Sequence, residues 1–185
     1  MIGATSLVGQ SILQRQNINF QAPTRDELDL TNPESINNYD YKNFDCLILV
    51  AGAGMRHGRN FTFEETEVDF SYIQNTIDVN CTGTTMLLKK YLSENKKGHV
   101  VVIGSVVIND PKNTNVVYSS SKVYLDRLID LLGNLYKDTI FIKINPGAMQ
   151  SRTQKDLPNF IPATMIADLV WKCIDQNIKR LDVFE

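Results

Sequence analysis

The sequence predicts a doubly wound α/β fold, a parallel sheet covered by helices on both faces in three layers. Two observations predict it. Short apolar runs rich in β-branched residues recur along the chain, and longer stretches with helical apolar spacing separate them. The length of 185 residues favours a single domain over 1–185. A chain this long buries a core without disulfide or metal staples.

The strand runs are Cys46 to Val50, Val100 to Ile103 and Ile140 to Ile144. Almost every position in them is apolar, as in strands buried on both faces. Weaker strands are predicted over Ile18 to Ala22 and Asp182 to Phe184. A first helix runs from Leu7 to Gln16 after a glycine-containing turn. A short one covers Pro33 to Tyr39, with Thr31 or Asn32 as its cap. Phe70 to Ser93 is read as one long helix on the spacing of Ile73, Ile77, Met86, Leu87 and Tyr91. Ser119 to Tyr136 carries Leu125, Leu128, Ile129 and Leu132, and Ala163 to Gln176 carries Ile166, Leu169, Val170 and Ile174.

Composition narrows the classes of function. Hydrophobic residues make up 43% and charged residues 22%, as in ordinary globular proteins. A net charge of −2 gives no general pull toward nucleic acid or an anionic membrane. No apolar run reaches membrane-spanning length. The first residues lack a charged segment followed by an apolar one, so no signal peptide is expected. Cys46, Cys81 and Cys173 show neither metal-ligand spacing nor a disulfide framework, and are read as reduced thiols in a cytoplasmic protein.

In parallel sheets ligands bind beyond the carboxyl ends of the strands. Gly3-Ala-Thr5-Ser6-Leu-Val-Gly9 opens the first helix, where glycines let the backbone approach a pyrophosphate; an ordinary turn reads the same way. Ala51 and Gly52 follow the first strong strand and leave room for a ring or ribose. Ser105 follows the second, either facing the crevice or capping a turn. Pro146 and Gly147 follow the third, with Ser151 and Thr153 beyond them as hydroxyls able to bind a carboxamide. Between them lies Tyr118-Ser-Ser-Ser-Lys122. Residues four apart share a helix face, so a phenol sits beside an ammonium. A nearby positive charge favours a phenolate, which suits proton exchange with an alcohol oxygen. Of the 7 tyrosines, Tyr118 alone has a lysine at this spacing.

Taken in order, these pieces resemble the short-chain dehydrogenase/reductase family, from Gly3 to about residue 153. Asp45-Cys-Leu-Ile-Leu-Val-Ala-Gly52 resembles the family's strand ending in Asn-Asn-Ala-Gly, and Asp78-Val-Asn-Cys-Thr-Gly83 its Val-Asn-x-x-Gly motif. Ser105 precedes Tyr118 by the family's usual interval. The resemblance implies a Rossmann-like fold and an NAD(P)-dependent oxidoreductase acting on a carbonyl/alcohol pair. It implies that Tyr118 exchanges a proton with the substrate oxygen and that Lys122 assists it and holds the nicotinamide ribose. Ser105 would orient the substrate, and Asn80 would hold a water of the proton relay. Gly3, Thr5, Ser6 and Gly9 would lie near the pyrophosphate, Asp29 near the adenine, and Ala51, Gly52, Pro146, Gly147 and Ser151 along the rest of the cofactor. Arg25 stands where a 2′-phosphate is read, which favours NADP over NAD. A homodimer or homotetramer built on the helices over 70–93 and 119–136 is also implied.

Three departures accompany the resemblance. Leu7 stands at a glycine position, only Met1 and Ile2 precede Gly3 so that the first strand is cut short, and Val50 replaces an asparagine. The segment 148–157 is a short substrate lid, which implies an open site or one completed by a partner subunit. A nucleotide-binding or regulatory protein with weak or no turnover is therefore the alternative. A sugar-nucleotide epimerase shares the Tyr-Lys pair but usually carries a larger C-terminal domain.

Overall fold

The computed structural model describes residues 1–15, 18–54, 68–110, 115–149 and 160–183. Ser151, Thr153 and Phe184 lie outside them. Four parallel strands form one sheet in sequence order: β1 (Cys46–Leu49), β2 (Gly98–Ile103), β3 (Thr139–Pro146) and β4 (Arg180–Val183). Leu49 pairs with Val102, Ile103 with Ile144, and Pro146 with Val183.

The strands alternate two apolar faces, as side chains of period two must. Leu47, Leu49, Val100, Val102 and Phe141 face one layer, formed by α2 (Pro33–Asn38), α4 (Thr84–Glu94) and α5 (Val116–Leu135). Ile48, Val101, Ile103, Ile142 and Ile144 face the other, formed by α1 (Leu7–Leu13) and α6 (Ala163–Gln176). The three-layer, doubly wound architecture is as the sequence predicts. Ahead of Gly3, Ile2 forms one parallel bridge with Leu49: Ile2 N–H donates to Ile48 O and Val50 N–H to Ile2 O, both at 2.8 Å.

The sequence expectation fails for residues 18–22, which form no strand. Strand assignment needs a neighbouring ladder, and the bridge beside this segment is one residue long.

The long helix expected over 70–93 is also interrupted. It comprises α3 (Phe70–Ile77), a π-helical turn (Asp78–Gly83) and α4. The Thr84 hydroxyl donates to Val79 O, five residues back, at 2.8 Å. Gly83 lies so close to the neighbouring backbone that an added Cβ would sit 1.9 Å from Leu30 O. The extra residue in the turn aims Asn80 inward; π turns of this kind are frequent at functional sites. Helix α5 begins three residues earlier than predicted, because the Asn115 side chain caps it by accepting Tyr118 N–H at 3.4 Å.

All three cysteines are free. Burial pushes the Cys46 thiol up to about 12, with the N-terminal ammonium opposing and Asp45 adding to the shift. Burial also raises Cys81 against Lys122 and Cys173 against Lys172. Thiolate is the reactive form, so the native protein should react slowly with an aromatic disulfide reagent at pH 8. All 3 thiols should react at once after unfolding in guanidinium. Rapid labelling of the folded protein would contradict this packing.

Candidate active site

A cleft of about 650 Å³ opens at the carboxyl ends of the strands, lined by the Gly3–Val8 turn, Arg25, Leu28–Leu30 and Val50–Ala53. This lies within the usual size range of small-molecule sites, roughly 300–1,000 Å³. Gly3 has φ +91°, and a Cβ there would lie 2.4 Å from Ala51 N, so the turn crosses directly over the end of β1. Ser6 closes the turn: its hydroxyl donates to Gly3 O at 2.9 Å and accepts from Gly9 N–H at 3.0 Å. Gly9 packs α1 against the same turn. Thr5 is exposed at the mouth, and Leu7 lines the wall.

On the rim, the Arg25 guanidinium is 71% exposed and pairs with Asp29 Oδ2 at 3.1 Å. Asp29 Oδ1 accepts from the Thr31 amide and hydroxyl, both at 2.8 Å. Burial pushes the Asp29 carboxyl up, but the two Thr31 donors and Arg25 together outweigh it and hold the group below the usual carboxylate range. The carboxylate thus braces its own loop at the cleft wall.

Tyr118 and Lys122 sit on the first turns of α5. Lys122 is buried, 5% exposed, and its described hydrogen bond goes to Ile103 O at 3.4 Å. Its Nζ lies 5.6 Å from the centre of the Tyr118 ring. Gly52 is bare beside it: a Cβ there would come within 3.3 Å of Lys122 Nζ and 3.5 Å of Asn80 Oδ1. The Asn80 side chain clasps Ala53, accepting its N–H at 2.8 Å and donating to its O at 2.6 Å. Asn80 also donates to Ser121 Oγ at 2.9 Å, and Ser121 donates to Tyr118 O at 2.7 Å. Asn80, Ala51–Gly52, Tyr118 and Lys122 are therefore brought to one place.

The remaining predicted residues are placed less tightly. Ser105, buried at the end of β2, accepts a long bond from Val107 N–H at 3.4 Å and so caps the 3-10 turn that follows. Pro146 ends β3, and Gly147 N–H is bound to Val183 O at 2.8 Å. On that side Met149 lines the cleft. Asn115 and Tyr72 also lie beside Tyr118 and Gly54 and are missed by sequence reasoning. Asn115 carried a findable signal as a cap residue three positions before Tyr118, whereas nothing local marks Tyr72.

An ammonium carries three protons and is costly to bury without partners. Lys122 uses one of them among the described residues, next to the bare Gly52. Ligand hydroxyls at this point would satisfy the rest. The cleft and the bare Gly52 beside Lys122 leave room for a nucleotide.

The sheet order, the helices on both faces and the glycine turn at the head of α1 define a Rossmann-like fold. A family model described as short chain dehydrogenase matches residues 24–161. This chain belongs to that family. It is 31% identical over 100 residues to a very-long-chain 3-oxoacyl-CoA reductase of Neurospora crassa, a match covering 52% of this chain and 30% of that protein. The chain therefore spans under a third of that relative's length. A short-chain dehydrogenase of Burkholderia cenocepacia J2315 in complex with NADP superposes with a TM-score of 0.84 at 17% identity, covering 100% of this chain and 86% of that one. A short-chain dehydrogenase from Sphingobium yanoikuyae in complex with NADPH gives 0.81 at 18% identity, covering 98% and 85%.

Proposed function

We propose that the chain, acting as a single domain, is an NAD(P)-dependent oxidoreductase for a small carbonyl/alcohol substrate. One observation carries this reading: a buried, under-partnered Lys122 beside both Tyr118 and the bare Gly52. When bound, the nicotinamide supplies or accepts the hydride. Tyr118 gives a proton to the substrate oxygen on reduction and takes it back on oxidation. Lys122 holds a fixed positive charge near the ring, which favours negative charge developing on the phenol oxygen as the proton leaves. Ser105 orients the substrate oxygen. Asn80 fixes Ala53 and Ser121 around the pair and holds the water of the proton relay. Gly3, Thr5 and Ser6 bind the pyrophosphate with Gly9 supporting their turn, while Ala51, Pro146 and Gly147 complete the cofactor's surroundings.

NADP is the favoured cofactor, because Arg25 is exposed on the rim and able to pair with a 2′-phosphate. The structures named above hold NADP and NADPH, in line with that choice. Arg25→Ala should weaken NADPH binding about tenfold while changing NADH binding little, an effect of one charge-assisted contact. Equal losses for both cofactors, read by fluorescence titration, would remove Arg25 from phosphate recognition.

A homodimer or homotetramer is part of the proposal. Helices α3 and α5 leave Phe70 at 78% exposure and Leu135 at 74%, with Val123, Tyr124 and Leu131 also exposed; such patches mark contact surfaces. Among the described residues no helix is long and apolar enough to cross a membrane, and the absence of a disulfide among the cysteines favours a cytoplasmic setting.

The test is to mix the protein with NADPH or NADH and a panel of aldehydes and ketones, following nicotinamide absorbance. Turnover supports the enzyme, tight cofactor binding with no turnover favours the nucleotide-binding alternative, and binding of neither cofactor refutes both.

A further inference from the structure

We propose that Tyr72 is a positioning residue for Tyr118, acting through Asn115 and Gly54. Tyr72 stands on α3, a different element from the helix that carries Tyr118, and is 2% exposed. Its hydroxyl lies 2.7 Å from Gly54 O and 2.9 Å from Asn115 Oδ1. A phenol has one proton to donate, so the two acceptors share it. Asn115 Nδ2 closes the triangle by donating to Gly54 O at 3.0 Å.

Both ends of the triangle touch Tyr118. Asn115 Oδ1 accepts the Tyr118 N–H, which fixes the start of α5 and the backbone from which the phenol projects. Gly54 forms a wall against the ring. It has φ +138°, and a Cβ there would lie 2.2 Å from Tyr118 Cδ2 and 2.9 Å from Cγ. The ring's approach to the cleft is thus set by where the Gly54 backbone stands, and Tyr72 ties that backbone to the helix cap. Asn80 holds the preceding residue, Ala53, from the other side. Buried hydrogen-bonded groups of this kind lock a reacting side chain in one geometry, and small displacements of a reacting group cost rate steeply.

The inference rests on the reading of Tyr118 as the proton-exchanging group, and the experiment keeps the two apart. Tyr72→Phe deletes the hydroxyl and keeps the ring. Asn115→Ser keeps a helix cap but loses the amide donor to Gly54. In both variants kcat should fall about ten- to a hundredfold, with the Kd for NADPH unchanged within about twofold. In protein carrying tyrosine labelled with carbon-13 at Cζ, the Tyr118 resonance, assigned by its loss in Tyr118→Phe, should move or broaden in both variants. Those of Tyr41 and Tyr91 should stay in place. A lower Tm with kcat and the Tyr118 resonance unchanged would overturn the proposal, leaving Tyr72 a packing residue. If the wild type turns over no carbonyl, the enzymatic reading fails, and the Tyr118 resonance alone decides the positioning claim.

Discussion

Tyr118→Phe is expected to lower kcat/KM by about 10²- to 10⁴-fold, the usual contribution of a positioned acid–base group, while the Kd for NADPH stays within about twofold. The ring remains, so its packing against Gly54 and its place beside Lys122 are kept. What is lost is the hydroxyl proposed to trade a proton with the substrate oxygen. Cofactor affinity should be spared because the cleft wall, with Gly3–Val8, Arg25, Leu28–Leu30 and Val50–Ala53 in it, makes no described hydrogen bond to the phenol oxygen. Stopped-flow reduction and fluorescence titration of the same preparation measure both quantities. A variant with most of its activity left would remove Tyr118 from the chemistry.

Gly83→Ala should produce the second large effect, on stability. The added methyl carbon would stand 1.9 Å from Leu30 O and 2.8 Å from Asp78 O. Both are backbone atoms, so no side chain can rotate away. Overpacking typically costs about 1–3 kcal/mol, occasionally more, and a clash with two carbonyls belongs at the upper end. For a chain of this size that means a fall in Tm of roughly 6–12 °C, read by circular dichroism. The π turn would also be displaced, and with it Asn80, so residual activity should fall further than the loss of folded protein explains. A Tm within about 1 °C of wild type would show that α4 tolerates moving off the Leu30 segment.

The central sheet was legible because its strands are apolar on both faces, a pattern that needs two helical layers to cover it. Spacing puts Tyr118 and Lys122 on one helix face, but the chemical reading of the pair comes from its place after Ser105 and before Pro146-Gly147. The π turn was not legible. The flanking apolar positions, Ile77, Met86 and Leu87, fit an unbroken helix, and the extra residue goes with the tertiary contacts of Asn80 and Gly83. Residues 18–22 show why strands are harder to read than helices: Ile18 and Phe20 have strand-like character, but pairing depends on a neighbour that the segment itself does not encode. Asp29 lines the cleft, and its commitment to Thr31 and Arg25 emerges only from the loop geometry. Tyr72 was invisible for a related reason. Its partners lie 18 and 43 residues away in sequence, and a buried tyrosine on an amphipathic helix looks like any core residue.

The most direct test of the account follows one atom. NADPH carrying deuterium at the transferable C4 position is incubated with the protein and a carbonyl substrate found in the panel, and the alcohol is analysed by mass spectrometry. Each alcohol molecule should carry one deuterium on the former carbonyl carbon, and a Tyr118→Phe protein that binds the same cofactor should form almost none of the product. Alcohol formed without deuterium, or formed equally well by the variant, would contradict the proposed function.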